Sequence, residues 1–164
     1  MARNRFKILF AFILAVSGLG QPASSQAATA TSAIAVTATV LSFCTIAANP
    51  LSFGNYSSAL VTGSTTVTVA CTVGTTYNVG LDVGVGTGAT VAVRKMTLLT
   101  STLNYGLFRE VGRTTNWGPT IGTDTVAGTG TGLSQVLTVY GEIPASQLSA
   151  PGAYTDTVTA TITY

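Results

Sequence analysis

The sequence predicts an all-β protein, a sandwich or barrel of short strands, and three observations carry that prediction. First, TDTVTATITY (155–164) sets Val158, Ala160, Ile162 and Tyr164 against Thr157, Thr159, Thr161 and Thr163. A two-residue period marks a strand with one buried and one wet face. Second, similar stretches rich in Val and Thr recur along the chain, punctuated by Gly, Asn and Ser. Third, no window of helical length keeps apolar residues at three- and four-residue spacing.

The elements follow in order. SAIAVTATVLSF (32–43) puts Ile34, Val36, Ala38 and Val40 on one face and Thr37 and Thr39 on the other. PLSFGNYSS (50–58) is bounded by turn residues, and TTVTVACT (65–72) and TYNVGLDV (76–83) alternate. GVGTGAT (84–90) reads as a turn-rich connection to VAVRKMTL (91–98), which LNYGLF (103–108) follows. AGTGTG (127–132) reads as a loop before SQVLTVYGEI (134–143), PASQL (144–148) as a single helical turn, and YTDTVTATITY (154–164) as the last strand. No fixed-period repeat and no linker divides these elements into separate domains.

The N-terminus has another character. Arg3, Arg5 and Lys7 precede the apolar run ILFAFILAV (8–16), and small and polar residues follow. This is the layout of a secretory signal peptide, with Ser25-Gln26-Ala27 as the small-x-small site, so residues 1–27 are expected to be removed. The apolar run is too short to span a bilayer, and no membrane span is expected in the mature chain. Beyond the signal, Arg94, Lys95, Arg109 and Arg113 stand against Asp82, Glu110, Asp124, Glu142 and Asp156, a net charge of −1. Nothing there neutralises a run of phosphates, so nucleic acid is not an expected partner. More than fifty mature residues precede the first charge, Asp82. A surface so poor in charge favours association, which suits a protein made to be assembled.

Cys44 and Cys71 are the two cysteines. Export leads to an oxidising compartment, and both fall in phase with apolar neighbours, so one structural disulfide is expected. There is no histidine, which removes the Ser-His-Asp and Cys-His catalytic sets and the commonest metal ligand. The five carboxylates are scattered, and neither GVGTG (84–88) nor GTGTG (128–132) completes a phosphate-binding glycine motif. No enzyme activity, cofactor or metal is expected. REVGRTTNW (109–117) is the one charged cluster: Arg109, Arg113 and Trp117 could form a sugar- or surface-binding loop, or Trp117 could cap one end of the sandwich.

Several stretches together resemble the spore coat protein U domain family, whose members include pilins of archaic chaperone–usher systems. They are ATVLSFCTI, PLSFGNY, VTVACT, LNYGLFRE with RTTNWG, GTGTG, LTVYGEIPASQ and GAYTDTVTATITY, covering nearly all of residues 38–164. The resemblance implies an incomplete immunoglobulin-like sandwich, completed by a strand from a periplasmic chaperone and then, at an outer-membrane usher, by the next subunit. Carried onto this chain, it implies a donor segment at 28–41, with Ile34, Val36, Ala38 and Val40 as plugs, and a pilin domain at 42–164. Val158, Ala160, Ile162 and Tyr164 would line the strand at the groove edge, and Cys44–Cys71 would be the family's disulfide. The expected role is a structural subunit of a surface pilus, partnered by copies of itself or related pilins and supporting attachment or biofilm formation. The alternatives are a self-complete secreted sandwich that binds glycans or surfaces, and a structural protein of a spore or cyst coat.

Overall fold

The computed structural model describes residues 25–164, so most of the expected signal segment lies outside the described residues. Residues 25–38 belong to one compact unit and Thr39–Tyr164 form the other. The second unit holds eight strands: β1 (Cys44–Ala48), β2 (Val61–Cys71), β3 (Thr76–Leu81), β4 (Arg94–Leu98), β5 (Ser101–Phe108), β6 (Val126–Thr129), β7 (Ser134–Ile143) and β8 (Ala160–Thr163). They make a five-stranded sheet, β1-β2-β7-β5-β4, and a three-stranded sheet, β6-β3-β8. Every ladder is antiparallel.

This order matches an immunoglobulin-like sandwich. In that pattern the first, second, fifth and fourth strands form one sheet, and the third, sixth and seventh form the other. Here β1-β2-β7-β5 supplies the first sheet, with β4 added as a hairpin partner on its edge. β3 and β8 supply the third and sixth strands, and β6 pairs with the far side of β3. Among the described residues, no strand pairs with the outer edge of β8, where a seventh strand would lie.

Alternation decides what enters the core. Val67, Val69 and Val139 point inward from the large sheet, and Tyr77, Val79 and Leu81 from the small one, all at most 3% exposed. Cys44 and Cys71 face each other across the β1–β2 ladder and are joined by a disulfide, Cα–Cα 4.1 Å. The bond pins the first strand of the domain to its longest one.

Three elements differ from expectation. Residues 32–43 form no strand, because periodicity marks what a segment can bury and a ladder also needs a partner. Residues 50–58 are likewise outside any ladder, although Leu51, Phe53 and Tyr56 are half-buried. Conversely, β6 takes up part of the expected loop AGTGTG: the Tyr77 ring occupies the space a Cβ at Gly128 would need, so that glycine serves close packing. The single helical turn at 144–148 is absent.

Removing the disulfide (C44S/C71S) should cost roughly 3–4 kcal/mol through the freed loop between the cysteines. Urea unfolding checks this, with the oxidised wild type as the reference and the reduced wild type expected to match the variant.

Candidate functional site

An apolar groove runs between the sheets and opens beside β8. Its cavity of about 510 Å³ has Val67, Leu81, Leu107 and Val139 as floor, with residues 48–53 and 154–160 as walls. A second cavity of about 750 Å³ continues it between residues 51–56 and 149–154, over Leu103 and Ile143. Leu51, Phe53, Met96 and Tyr154 line both, so the two form one elongated trough.

The first wall owes its position to two glycines. Gly63 and Gly141 sit opposite each other on β2 and β7. A Cβ on Gly141 would stand 2.7 Å from both Leu51 and Phe53, so only bare backbone lets the segment lie this close to the sheet. Tyr56 ties the segment down at its far end, its hydroxyl donating to the Pro144 carbonyl and accepting from the Gln147 N–H, both at 2.9 Å.

The second wall crosses from one sheet to the other. Thr155 exchanges two backbone hydrogen bonds with Thr97 on β4, at 2.8 and 3.2 Å. Four residues later the Thr159 carbonyl accepts from the Asp82 N–H, just past β3. From Thr157 onward Val158, Ala160 and Ile162 are half-buried while Thr157, Thr159, Thr161 and Thr163 face water. Tyr164, expected on the buried face, lies past the end of β8 and is 55% exposed.

A polar cluster fixes this crossing. The Tyr105 hydroxyl donates to Asp156 Oδ2 at 2.6 Å, and the Val85 N–H donates to Asp156 Oδ1 at 2.8 Å. Burial, reinforced by the Asp156 carboxylate, pushes the Tyr105 phenol well above its ordinary value. Asp82 Oδ1 accepts from the backbone N–H groups of Gly84 (3.0 Å) and Thr159 (2.9 Å). Burial alone would raise the Asp82 carboxyl, but these hydrogen bonds outweigh it and leave the group below its ordinary value. Arg94, fully buried, donates to the carbonyls of Leu81, Asp82, Val91 and Trp117. Burial pulls its guanidinium below the ordinary value, opposed by the carboxylates of Asp82, Asp156 and Asp124. One cation thus ties the end of β3 and two loops together behind the groove.

The charged loop takes a different form from a sugar platform. Trp117 is completely buried, and its indole N–H donates to the Val79 carbonyl at 2.8 Å. An aromatic platform needs a bare ring face, and Trp117 has none, so it plugs the sandwich and offers no binding surface. Arg109 donates to the Thr125 carbonyl. Arg113 donates to the Gly141 carbonyl and lies 5.8 Å from the Tyr140 ring centroid. Glu110 accepts from the N–H groups of Thr114 and Thr115, bonds that hold its carboxyl below the ordinary value. Ile34, Val36 and Val40 are 86%, 88% and 81% exposed, and Ala38 is exposed as well.

The model of the Spore Coat Protein U domain matches residues 30–161. The chain belongs to the Spore Coat Protein U domain family. Protein U of Myxococcus xanthus is 35% identical to it over 98% of this chain and 99% of that protein. Its fold resembles a chain in the crystal structure of the CsuC–CsuE chaperone–tip adhesion subunit pre-assembly complex from the archaic chaperone–usher Csu pili of Acinetobacter baumannii. That match has a TM-score of 0.59 and 22% identity, and covers 77% of this chain and 41% of the other. In this Spore Coat Protein U domain, sequence reasoning missed Arg94, Tyr105, Asp82 and Asp156. A signal was present: Arg94 shares the inward parity of Met96 and Leu98, and Asp156 that of Val158 and Ala160.

Two outcomes are expected from this geometry. Asp82 stabilises the fold fully above its unfolded pKa, near 4, and the contribution is lost as pH falls through its lower folded value. The difference in urea midpoint between wild type and D82N should therefore shrink as pH drops below about 4. W117A should cost about 3–5 kcal/mol of stability by the same assay, as a core truncation does; an unchanged midpoint would return Trp117 to the surface.

Proposed function

We propose that this chain is an exported structural subunit of an extracellular pilus, polymerising by donor-strand exchange. Its groove takes residues 28–41 of another copy or of a related subunit, after a periplasmic chaperone has filled the groove during transit and an outer-membrane usher has directed the exchange. The fibre supports attachment or biofilm formation, and the subunit is not an enzyme.

The observation that carries this reading is the elongated apolar trough beside the unpaired edge of β8. The donor fits it by length and by pattern. Residues 149–160, which border the trough, span about 40 Å when extended, and residues 28–41 about 46 Å. Ile34, Val36, Ala38 and Val40 alternate with small or polar residues, as a strand laid over a groove requires. Burying three or four such side chains is worth roughly 6–12 kcal/mol gross. Each ladder hydrogen bond adds about 0.5–1.5 kcal/mol net, against the entropy of ordering the donor. The contact joins two different surfaces, so it repeats without closing and builds a fibre.

The family's description favours a second reading, a structural protein of a spore or cyst coat. Immunogold localisation of the native protein to surface filaments or to a coat layer separates the two.

The chain lacking residues 28–41, exported with its chaperone and usher, should give no multimer ladder on unheated SDS gels, whereas the intact chain gives one that boiling collapses. An equal ladder from both would sink the donor assignment. V158D, on the groove side, should weaken the ladder at least tenfold, and T161D, on the wet side, should leave it within twofold.

A further inference from the structure

The two ends of the sandwich carry apolar side chains that the groove leaves unused. One end lies where β2 begins and β7 finishes, at the pair Val61↔Ile143. Leu60, Leu99 and Leu148 are 57%, 96% and 99% exposed there. Among the described residues, three of the four non-glycine residues with positive φ also fall at this end: Ser58 (61°), Leu99 (52°) and Ser146 (66°). For leucine that region is sterically unfavourable, and such strain persists only where the surroundings impose it.

The two-residue turn closed by the Leu98↔Ser101 pair imposes it on Leu99, and hydrogen bonds brace Ser58 and Ser146. The Ser146 N–H donates to the Ser58 carbonyl at 2.8 Å, and the Ser58 hydroxyl to the Gln147 carbonyl at 3.2 Å. The Gln147 side chain bonds both the N–H and the carbonyl of Asn104, and the Ser149 hydroxyl donates to the Thr102 carbonyl. Leu60 and Leu148 thus flank braced loops, Leu99 sits on a tight turn, and all three are presented to water.

The opposite end lies where β1 starts, β2 finishes and β7 begins. Phe43, Val73 and Leu133 are 62%, 73% and 74% exposed there. These loops are braced too: the Thr72 N–H donates to the Phe43 carbonyl, the Gly132 N–H to the Cys71 carbonyl, and Gly74 and Thr75 pair with Gly130. None of residues 57–60, 99–100 and 144–149 at the first end, or 41–43, 72–75 and 130–133 at the second, is charged. Rigid exposed apolar groups of this kind mark interaction surfaces.

We propose that in the fibre these two ends dock, the Leu60–Leu99–Leu148 end of one copy against the Phe43–Val73–Leu133 end of the copy whose donor it holds. The proposal rests on the donor-strand reading. A donor antiparallel to β8, the sense of every ladder in the molecule, brings Val40 out beside residues 149–152. That is the leucine end. Leu41 and Phe43 follow directly, so covalent continuity carries the second end onto the first. The contact is heterologous, as an open fibre requires, and makes each joint an apolar seat instead of a bare tether.

Cysteine cross-linking tests this in the full chain exported with its chaperone and usher. Leu99→Cys or Leu148→Cys is combined with Val73→Cys or Leu133→Cys, all at exposed positions that tolerate substitution. At least one pair should give a covalent ladder that survives boiling without reductant and collapses to monomer with it. The proposal is overturned if unheated ladders form normally while every pair boils to monomer. It is also overturned if single-cysteine variants cross-link as well as the pairs, because the contact is then between like ends. Failure of the unsubstituted chain to form any unheated ladder would overturn the donor reading itself, and this proposal with it.

Discussion

Among the described residues β8 hydrogen-bonds on one side only, and the rest of the domain is arranged around that fact. β3 satisfies its inner edge, whereas its outer edge borders an apolar trough with no strand across it. An open edge beside exposed apolar surface invites pairing with another chain, and proteins ordinarily cover it. In this domain the fold keeps it open and holds it still. The glycine pair under Leu51 and Phe53 sets one wall, and the Tyr105–Asp156 and Asp82–Thr159 bonds set the other.

The polar cluster explains why so few charges suffice. Arg94 spends its donors on four backbone carbonyls, so it works as a clamp between loops more than as a member of an ion pair. Asp82 and Asp156 do the same with backbone N–H groups. The wall beside the open edge is therefore built without a partner in place, which under the proposed donor-strand reading lowers the ordering cost of association.

Much of this was legible in the sequence. Alternation located β2, β3, β7 and the inward face of β8, and parity placed both cysteines in the core. The failures share one cause. Residues 32–43 carry a strand's pattern without a ladder, and the pattern does not say which molecule supplies the partner. Gly128 reads as a turn until the Tyr77 ring above it is seen. Trp117 is no failure: of its two readings, surface loop or cap on the sandwich, its burial and the N–H on the Val79 carbonyl give the second. Arg94 and Asp156 stood at buried parity in plain view, but only the fold shows the carbonyls and hydroxyl they reach.

The most direct test of the open-edge account is amide hydrogen exchange across residues 158–163. It compares the domain lacking residues 28–41 alone with the same domain saturated by a synthetic peptide of residues 28–41. The amides of β8 that face away from β3 should exchange fast in the free domain and become protected by at least a hundredfold with peptide. Unchanged exchange there, with the peptide shown to be bound, would contradict the account.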